Sequence, residues 1–351
     1  MIKYLGSKRL LVPVLGRIAA ACGARTALDL FTGTTRVAQE FKRRGLEVTA
    51  VDVATYAEVL SRCYIGTDAD TVNRDELAEA IARLNRLPGR RGYVTRTFCE
   101  QARYFRPENG RRIDAVRDAV EDHAGTSLHP VLLTALLLAA DRVDSTTGLQ
   151  MAFLKQWSPR SAQPLTLVEP ILLPGPGHAV LGDATTVVDV LPPVDLAYLD
   201  PPYNQHRYFT NYHVWETLVR RDEPEHYGIA RKRIDAREQA TKSVFNYRAT
   251  MPDAVRSVIA RTRARLVVAS YNDESWMTPD EISTALADAG HETVAVLGFD
   301  SRRYVGARIG IHNPLGERVG KVGHLRNTEY LFVAGPRDLV EACVAAADVA
   351  S

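Results

Sequence analysis

The sequence lacks the features that mark several classes of protein. Only four cysteines occur in 351 residues, with no close pair, so neither a disulfide framework nor a cysteine zinc site is indicated. The most apolar run, residues 131–140, is far shorter than the roughly 20 residues of a membrane-spanning helix. Pro13, Gly16 and Arg17 interrupt the first apolar stretch, so no secretory signal is expected. We therefore expect a reduced, cytoplasmic protein.

Charge is nearly balanced overall but unevenly distributed. The formal net charge is +2, and charged residues make up 25% of the chain, as in ordinary globular proteins. Residues 86–112 nevertheless hold eight arginines against two glutamates, and residues 302–326 hold six lysines and arginines against one glutamate. Two basic islands on an otherwise acidic chain are typical of a protein that binds a polyanion, although solvated arginine-rich helices have the same composition.

The order of the apolar segments predicts an α/β sheet interrupted by helices. Residues 26–31 and 46–51 are short apolar runs separated by a helical pattern that closes at Gly45, which makes one βαβ unit. Helices are predicted over residues 75–87, 107–123 and 130–143. Further strands are predicted over residues 178–181, 194–199 and 266–269, with a hairpin formed by residues 293–299 and 329–333.

The tetrapeptide Asp200-Pro201-Pro202-Tyr203 directly follows one predicted strand. In open α/β sheets, ligands bind beyond the carboxyl ends of the strands. A carboxylate followed by two prolines fixes one acceptor oxygen and one backbone carbonyl, and proline adds no competing N–H. The ring of Tyr203 can cover a flat group. These features suit an exocyclic amino group on a planar base; the simpler alternative is a proline turn that ends a strand.

A second motif, DLFTGTT at residues 29–35, combines a strand end, a turn with one glycine and a helix start. Such a segment can cradle a nucleoside-type cofactor at the helix N-terminus. The second and third glycines of a dinucleotide fingerprint are missing, so a pyrophosphate would fit badly. Asp52 ends the next predicted strand, where an acidic residue can bind ribose hydroxyls or cap the following helix.

With the N-terminal sequence KYLGSK at residues 3–8, these motifs resemble the Dam-like class of DNA N6-adenine methyltransferases. In that class, an aromatic-x-Gly-x-Lys motif precedes D-x-F-x-G, a helical target-recognition insertion and then DPPY. The resemblance implies a Rossmann-like methyltransferase sheet. It assigns residues 1–66 and 178–351 to an S-adenosylmethionine-dependent catalytic domain, and residues 67–177 to a mostly helical insertion that recognises DNA.

The resemblance also implies roles for individual residues. Asp200 and the Pro201 carbonyl would accept hydrogen bonds from N6 of the target adenine, while Tyr203 stacks on the flipped base; Pro202 belongs to the same catalytic motif. No metal is expected, because a sulfonium supplies the electrophile. Thr35 stands where many relatives have Gly or Ser, which adds a branched Cβ at the cofactor turn. The residues expected to bind S-adenosylmethionine are Tyr4, Lys8, Asp29, Phe31, Gly33, Asp52, Asp183 and Asp200.

DNA, in double-stranded form, is the expected substrate, bound by basic, amide and aromatic side chains. The residues expected to contact it are Arg96, Arg103, Arg106, Asn204, Gln205, Tyr208, Arg302 and Arg303. The resemblance also allows a partner restriction endonuclease, with the chain acting as a monomer or weak dimer. The residues alone leave alternatives open, namely methylation of cytosine N4, of RNA adenine or of a protein glutamine, and a non-catalytic DNA-binding protein on the same fold.

Overall fold

The computed structural model describes residues 2–4, 8–203, 205, 207–302 and 326–348. Asn204 and Arg303 lie outside the described residues, as does most of the second basic island. Within the described part, no helix is long and apolar enough to cross a membrane. The four cysteines are all buried, and none forms a disulfide.

The helices and strands follow the predicted order closely. The α-helices are α1 (Val12–Ala21), α2 (Arg36–Arg43), α3 (Thr55–Ser61), α4 (Arg74–Arg86), α5 (Pro107–Val120), α6 (Leu128–Val143), α7 (Ala184–Val187), α8 (Tyr208–Asn211), α9 (His213–Arg220), α10 (Met251–Arg261), α11 (Pro279–Asp288) and α12 (Arg337–Asp348). The strands are β1 (Thr26–Asp29), β2 (Glu47–Asp52), β3 (Gly177–Leu181), β4 (Val194–Leu199), β5 (His226–Tyr227), β6 (Lys232–Arg233), β7 (Ala264–Asn272), β8 (Thr293–Arg302) and β9 (Arg326–Gly335). Short π-helical turns span Arg62–Gly66 and Thr95–Glu100, and 3-10 turns span Glu121–His123, Pro159–Ala162, Ile234–Arg237, Gln239–Thr241 and Val244–Asn246.

The strand order of the main sheet is β3-β2-β1-β4-β7-β9-β8, and β5 pairs with β6 in a separate small hairpin. The pairs β2–β3, β1–β4 and β4–β7 are parallel, whereas β9 is antiparallel to both β7 and β8. A mostly parallel sheet whose order reverses at β1 is a doubly wound arrangement, in which ligands bind at the carboxyl ends of the strands near that reversal. The predicted α/β class is confirmed.

Contacts divide the chain into two compact units, each with its own core. The first unit comprises Met1–Tyr4, Thr32–Gly182 and Arg207–Ser243. Its central helix is α6, which is buried on nearly every side, as its apolar composition predicts, and which packs against α3, α5 and α9. Burial on every side is the expected state of a helix without a polar face.

The second unit comprises Leu5–Phe31, Asp183–His206 and Val244–Ser351. It contains β1, β4 and β7–β9, with α1 packed against α12. The inner residues of β4 and β7, such as Leu196 and Val268, are fully buried, so these strands read as continuous apolar runs in the sequence. The division predicted from motif order, with residues 67–177 as an insertion, follows other boundaries and stays a prediction.

Candidate active site

In the second unit, Asp200 lies directly after β4 and forms an ion pair with Lys8. The Lys8 Nζ is 3.1 Å from Asp200 Oδ1 and 3.8 Å from Glu329 Oε2 on β9. Burial raises the pKa of Asp200 to about 6, although the nearby Lys8 ammonium opposes that rise. Burial alone lowers the pKa of Lys8, but the Asp200 and Glu329 carboxylates outweigh it and leave that pKa above its ordinary value. Both groups are therefore charged at neutral pH.

Tyr203 is held at its hydroxyl end and along one ring edge. The Asn272 side-chain amide donates a hydrogen bond of 3.1 Å to the Tyr203 hydroxyl. The Tyr203 ring meets Tyr271 at an angle of 62° with 5.3 Å between ring centroids, and Lys8 Nζ lies 5.6 Å from the Tyr203 centroid. These contacts fix the ring orientation beside the Asp200 carboxylate.

The residues around this motif are mostly apolar, with one buried carboxylate. Pro201 is buried and Pro202 half-buried. Phe31 packs edge-on against Phe245 with 5.3 Å between centroids, and both rings line a small apolar cavity with Pro201. Asp29 is buried at the end of β1.

Asp183, expected to bind the adenine of the cofactor, caps the short helix α7. Its Oδ1 accepts hydrogen bonds from the Thr185 N–H at 2.8 Å and from the Thr185 hydroxyl at 2.6 Å. Because both donors use the same oxygen, Oδ2 keeps acceptor capacity of its own.

In the first unit, Asp52 and Gly33 form a tight polar turn at the end of β2. Gly33 has a φ of 52°, a conformation that favours glycine, and its N–H donates to Asp52 Oδ2 at 2.8 Å. Asp52 Oδ1 accepts from the Ala54 N–H at 2.9 Å. Burial raises the pKa of Asp52 to about 6. Backbone N–H groups, those of Ala54, Gly33 and Val53, oppose this rise, and the Glu216 carboxylate adds to it.

Tyr4 lies in a stack of three tyrosine rings over this turn. Its ring is 4.7 Å from Tyr212 and 5.4 Å from Tyr208, with interplanar angles of 15° and 24°. The Tyr4 and Tyr56 hydroxyls are 3.5 Å apart. A Cβ at Gly33 would lie only 3.0 Å from the Tyr4 ring, so a side chain at position 33 would displace that ring.

Comparison with known proteins identifies the family of this chain. Residues 4–285 match the family of D12 class N6 adenine-specific DNA methyltransferases. The chain belongs to this family. It is 31% identical over 266 residues to Type II methyltransferase M.NlaIII of Neisseria lactamica, covering 72% of this chain and 77% of that protein. It is 26% identical over 306 residues to modification methylase StsI of Streptococcus sanguinis, covering 82% of this chain but 46% of that longer protein.

Among solved structures, the methyltransferase resembles precorrin-6y C5,15-methyltransferase of Geobacter metallireducens at 10% identity, covering 95% of this chain and 91% of that one. The TM-score of 0.30 is too low to support a conclusion. Family membership confirms the predicted reaction, transfer of a methyl group from S-adenosylmethionine to adenine N6 in DNA. The residues alone leave four alternatives open. These are methylation of cytosine N4, of RNA adenine or of a protein glutamine, and a non-catalytic role.

Three polar residues that the sequence did not single out contact the expected site residues or the start of α3. Glu216 on α9 is fully buried and accepts hydrogen bonds from the Thr55 and Tyr56 N–H groups at the start of α3. The one available signal was a lone acidic residue within the apolar stripe of a helix. Asn272 on β7 lies opposite Glu329 on β9. No local sequence pattern predicts that pairing.

The residues expected to contact DNA lie in varied surroundings. Arg96 is 3.6 Å from Glu223, and Arg103 donates to the Lys155 carbonyl. The Arg106 guanidinium lies 5.2 Å from the Trp157 ring and donates to the Ser161 hydroxyl at 3.3 Å. The rest are Gln205, which is exposed, Tyr208 in the tyrosine stack, Arg302 in β8, and Asn204 and Arg303 outside the described residues. Within the described residues, no group of three or more metal-ligating side chains could hold a metal ion.

Proposed function

We propose that this methyltransferase modifies adenine at a defined sequence in double-stranded DNA and that the target base leaves the helix during the reaction. The observation that supports this most is the Lys8–Asp200 ion pair beside the fixed ring of Tyr203. The adenine amino group lies inside the DNA stack, so reaching it costs a few kcal/mol of unstacking. Stacking on Tyr203 offsets about 1–3 kcal/mol of that cost.

The proposed chemistry assigns two acceptors to the adenine amino group. The amino group donates one hydrogen bond to the Asp200 carboxylate and one to the Pro201 carbonyl, which draws the nitrogen toward tetrahedral geometry and frees its lone pair. Lys8 keeps Asp200 ionised despite burial, so the acceptor is charged and aimed before the base arrives. Positioning then supplies most of the remaining rate enhancement.

S-adenosylmethionine, when bound, supplies the methyl group on a sulfonium. The residues present fit it: Asp52 uses one lone pair on each oxygen for a backbone N–H and retains the others for ribose hydroxyls. Tyr4 and Gly33, with Asp29 and Phe31, are proposed to line the methionine part, and Asp183 to accept from the adenine amino group. Lys8 has three donor hydrogens, so its contact with Asp200 leaves donors for the methionine carboxylate.

The biological setting is also a proposal. Type II methyltransferase M.NlaIII and modification methylase StsI carry names of restriction-modification enzymes. We therefore propose that this chain acts on cytoplasmic DNA, alongside a restriction endonuclease that cuts the same sequence, as a monomer or weak dimer. The residues proposed to contact DNA remain those named from the sequence.

The first test is transfer from labelled S-adenosylmethionine to unmethylated DNA, followed by nucleoside analysis. We expect N6-methyladenine as the product. Asp200→Asn should lower transfer at least about a hundredfold, the scale of losing one aimed electrostatic group, while cofactor affinity changes less than about tenfold. The matched control is Asp253→Asn, at a carboxylate that is 86% exposed. N4-methylcytosine as product would contradict the proposed substrate, and full activity of Asp200→Asn would refute the assigned role.

A further inference from the structure

The first unit contains an arginine-lined cavity of about 240 Å³ that has not yet been given a function. Arg96, one of the residues expected to contact DNA, belongs to its lining. The cavity is formed by the segment before the Thr95–Glu100 turn, by α5 and by the end of α9. Three carboxylates line it, those of Asp114, Asp118 and Glu223. The lining arginines are the buried Arg117 and the exposed or half-exposed Arg90, Arg91, Arg96 and Arg221.

The pairing of these groups leaves positive charge in excess. Asp118 is shared by two guanidinium groups: it contacts Arg90, and its Oδ1 lies 2.8 Å from Arg221 Nη2. One carboxylate thus serves two arginines. Arg96 is 3.6 Å from Glu223, and this exposed pair is weakened by solvent. Arg91 is paired with Glu100, which lies outside the lining, at 2.8 and 2.6 Å. The lining itself holds five arginines against three carboxylates, so it carries an excess of positive charge.

The arginines stand on a rigid frame. The buried Asp114 carboxylate accepts hydrogen bonds from the N–H groups of Gly92, Val94 and Thr95 and from the Thr95 hydroxyl. The buried Arg117 donates to the backbone carbonyls of residues 218 and 219. The backbone that carries these arginines is therefore fixed before a ligand binds, which lowers the ordering cost of binding.

The backbone at the cavity is also strained. Arg221 and Glu223 have φ angles of 52° and 43°, in the left-handed region that side chains other than glycine rarely adopt. Such strain persists where the surrounding structure enforces it, and it clusters at binding sites. Arg221 adopts this conformation directly after α9 ends, and both charged side chains line the cavity.

We propose that this arginine-lined cavity binds a phosphate group of the DNA backbone. The inference rests on the proposed function, since it supplies a contact for the DNA substrate. The planar guanidinium fork matches phosphate oxygens, and two or more such groups around one cavity suit a tetrahedral anion. Phosphate contacts position the protein on DNA without reading its sequence.

The first test measures DNA affinity as a function of salt for wild type, Arg90→Ala and Arg221→Ala. Each variant should bind DNA more weakly and lower the slope of log affinity against log salt by about one, with unchanged affinity for S-adenosylmethionine. Arg83→Ala is the matched control, since Arg83 and Arg221 are both 46% exposed and both paired with an aspartate. Equal slopes for Arg221→Ala and Arg83→Ala would overturn the proposal.

A second variant should change DNA affinity in the opposite direction, so the test does not depend on a variant that binds weakly because it is misfolded. Asp118→Asn releases both arginines from their shared carboxylate, so DNA affinity should rise and the salt slope steepen. Asp122→Asn, at the exposed partner of Arg83, makes the same change of charge and should have less effect. Weaker DNA binding by a folded Asp118→Asn protein would overturn the proposal.

Inorganic phosphate separates the two sources of this anion. If phosphate raises the melting temperature of wild type but not of Arg221→Ala while the DNA salt slopes match the control, the cavity binds free phosphate and the DNA assignment is wrong. Because salt slopes report binding alone, they remain informative even if no N6-methyladenine forms. Failure of the proposed function would appear instead as wild-type DNA binding without methyl transfer.

Discussion

At the scale of single residues, the arrangement around Lys8 sets the charge of Asp200. The ammonium lies between two carboxylates at unequal distances, 3.1 Å to Asp200 and 3.8 Å to Glu329. Lys8 stabilises the ionised form of Asp200, whereas Glu329 destabilises it by like-charge repulsion. Tyr198 and Tyr203, which also lie near these charges, have pKa values above their ordinary range because they are buried, so they stay neutral. Glu329 therefore opposes the ionisation of Asp200 by direct repulsion, while it shares the Lys8 ammonium.

This arrangement predicts the acidic limb of the pH–rate profile. Transfer needs ionised Asp200, whose pKa is raised to about 6 by burial, so kcat/KM for DNA should fall as the pH drops through about 6. Glu329→Gln removes the repulsive charge and should move the limb to lower pH. Lys8→Gln removes the attractive charge and should move it to higher pH. The measurement is kcat/KM for DNA against pH at saturating S-adenosylmethionine.

Because the two variants should move the acidic limb in opposite directions, an electrostatic effect can be told apart from a general loss of structure. A variant that only loosens the structure lowers the rate at every pH without moving the limb. Asp253→Asn, at an exposed carboxylate, should leave the limb in place. A limb that moves the same way in Glu329→Gln and Lys8→Gln would contradict the proposed roles.

At the scale of elements, α2 begins at an unusual residue. Thr35 precedes the first turn with a φ of 62°, which a β-branched residue rarely adopts. Its hydroxyl donates to the Thr34 carbonyl at 2.6 Å and accepts from the Gln39 amide at 2.8 Å. These hydrogen bonds hold a strained conformation at the turn that carries Gly33.

The strain predicts that glycine is more stabilising than alanine at position 35, the reverse of their order inside a helix. Thr35→Gly and Thr35→Ala lose the same hydroxyl, so their difference reports the backbone conformation together with one buried Cβ. Thr35→Gly should be the more stable by about 1 kcal/mol, because glycine tolerates the left-handed region. At the exposed helical position 78 in α4, Ala78→Gly should instead cost about 1 kcal/mol. Unfolding in urea measures both, and a Thr35→Ala protein as stable as Thr35→Gly would contradict the strain.

Local patterns predicted most elements because their determinants are local. The apolar run before Asp200 became β4, and Pro107 starts α5 at the position that suits proline. The partners of the predicted site residues were not predictable in this way. Asn272 lies near Tyr203 through the pairing of β4 with β7, and the pairing of β7 with β9 places Glu329 beside Asn272 and near Lys8. Such register depends on contacts between distant segments, which one sequence does not encode visibly.

At the scale of the whole molecule, the predicted insertion is packed into its surroundings. Helix α6, within residues 67–177, packs against α3 and α9, which both lie outside that segment. Lys3 forms ion pairs with Asp141 at 3.0 Å and with Asp144 at 3.2 Å. Arg117 donates to backbone carbonyls at the end of α9. Removing these partners would expose apolar surface worth about 1.5–3 kcal/mol for each large side chain.

The packing predicts that residues 67–177 do not fold alone, even if they recognise the DNA target. Expressed as a separate segment, they should show no cooperative thermal transition by circular dichroism, whereas the full chain does. Limited proteolysis of the full chain should release no protected fragment with those boundaries, because α6 keeps its apolar faces buried against helices outside the segment. A segment that melts cooperatively by itself would show that target recognition resides in an autonomous domain, and that the contacts of α6 with α3 and α9 contribute little to its stability.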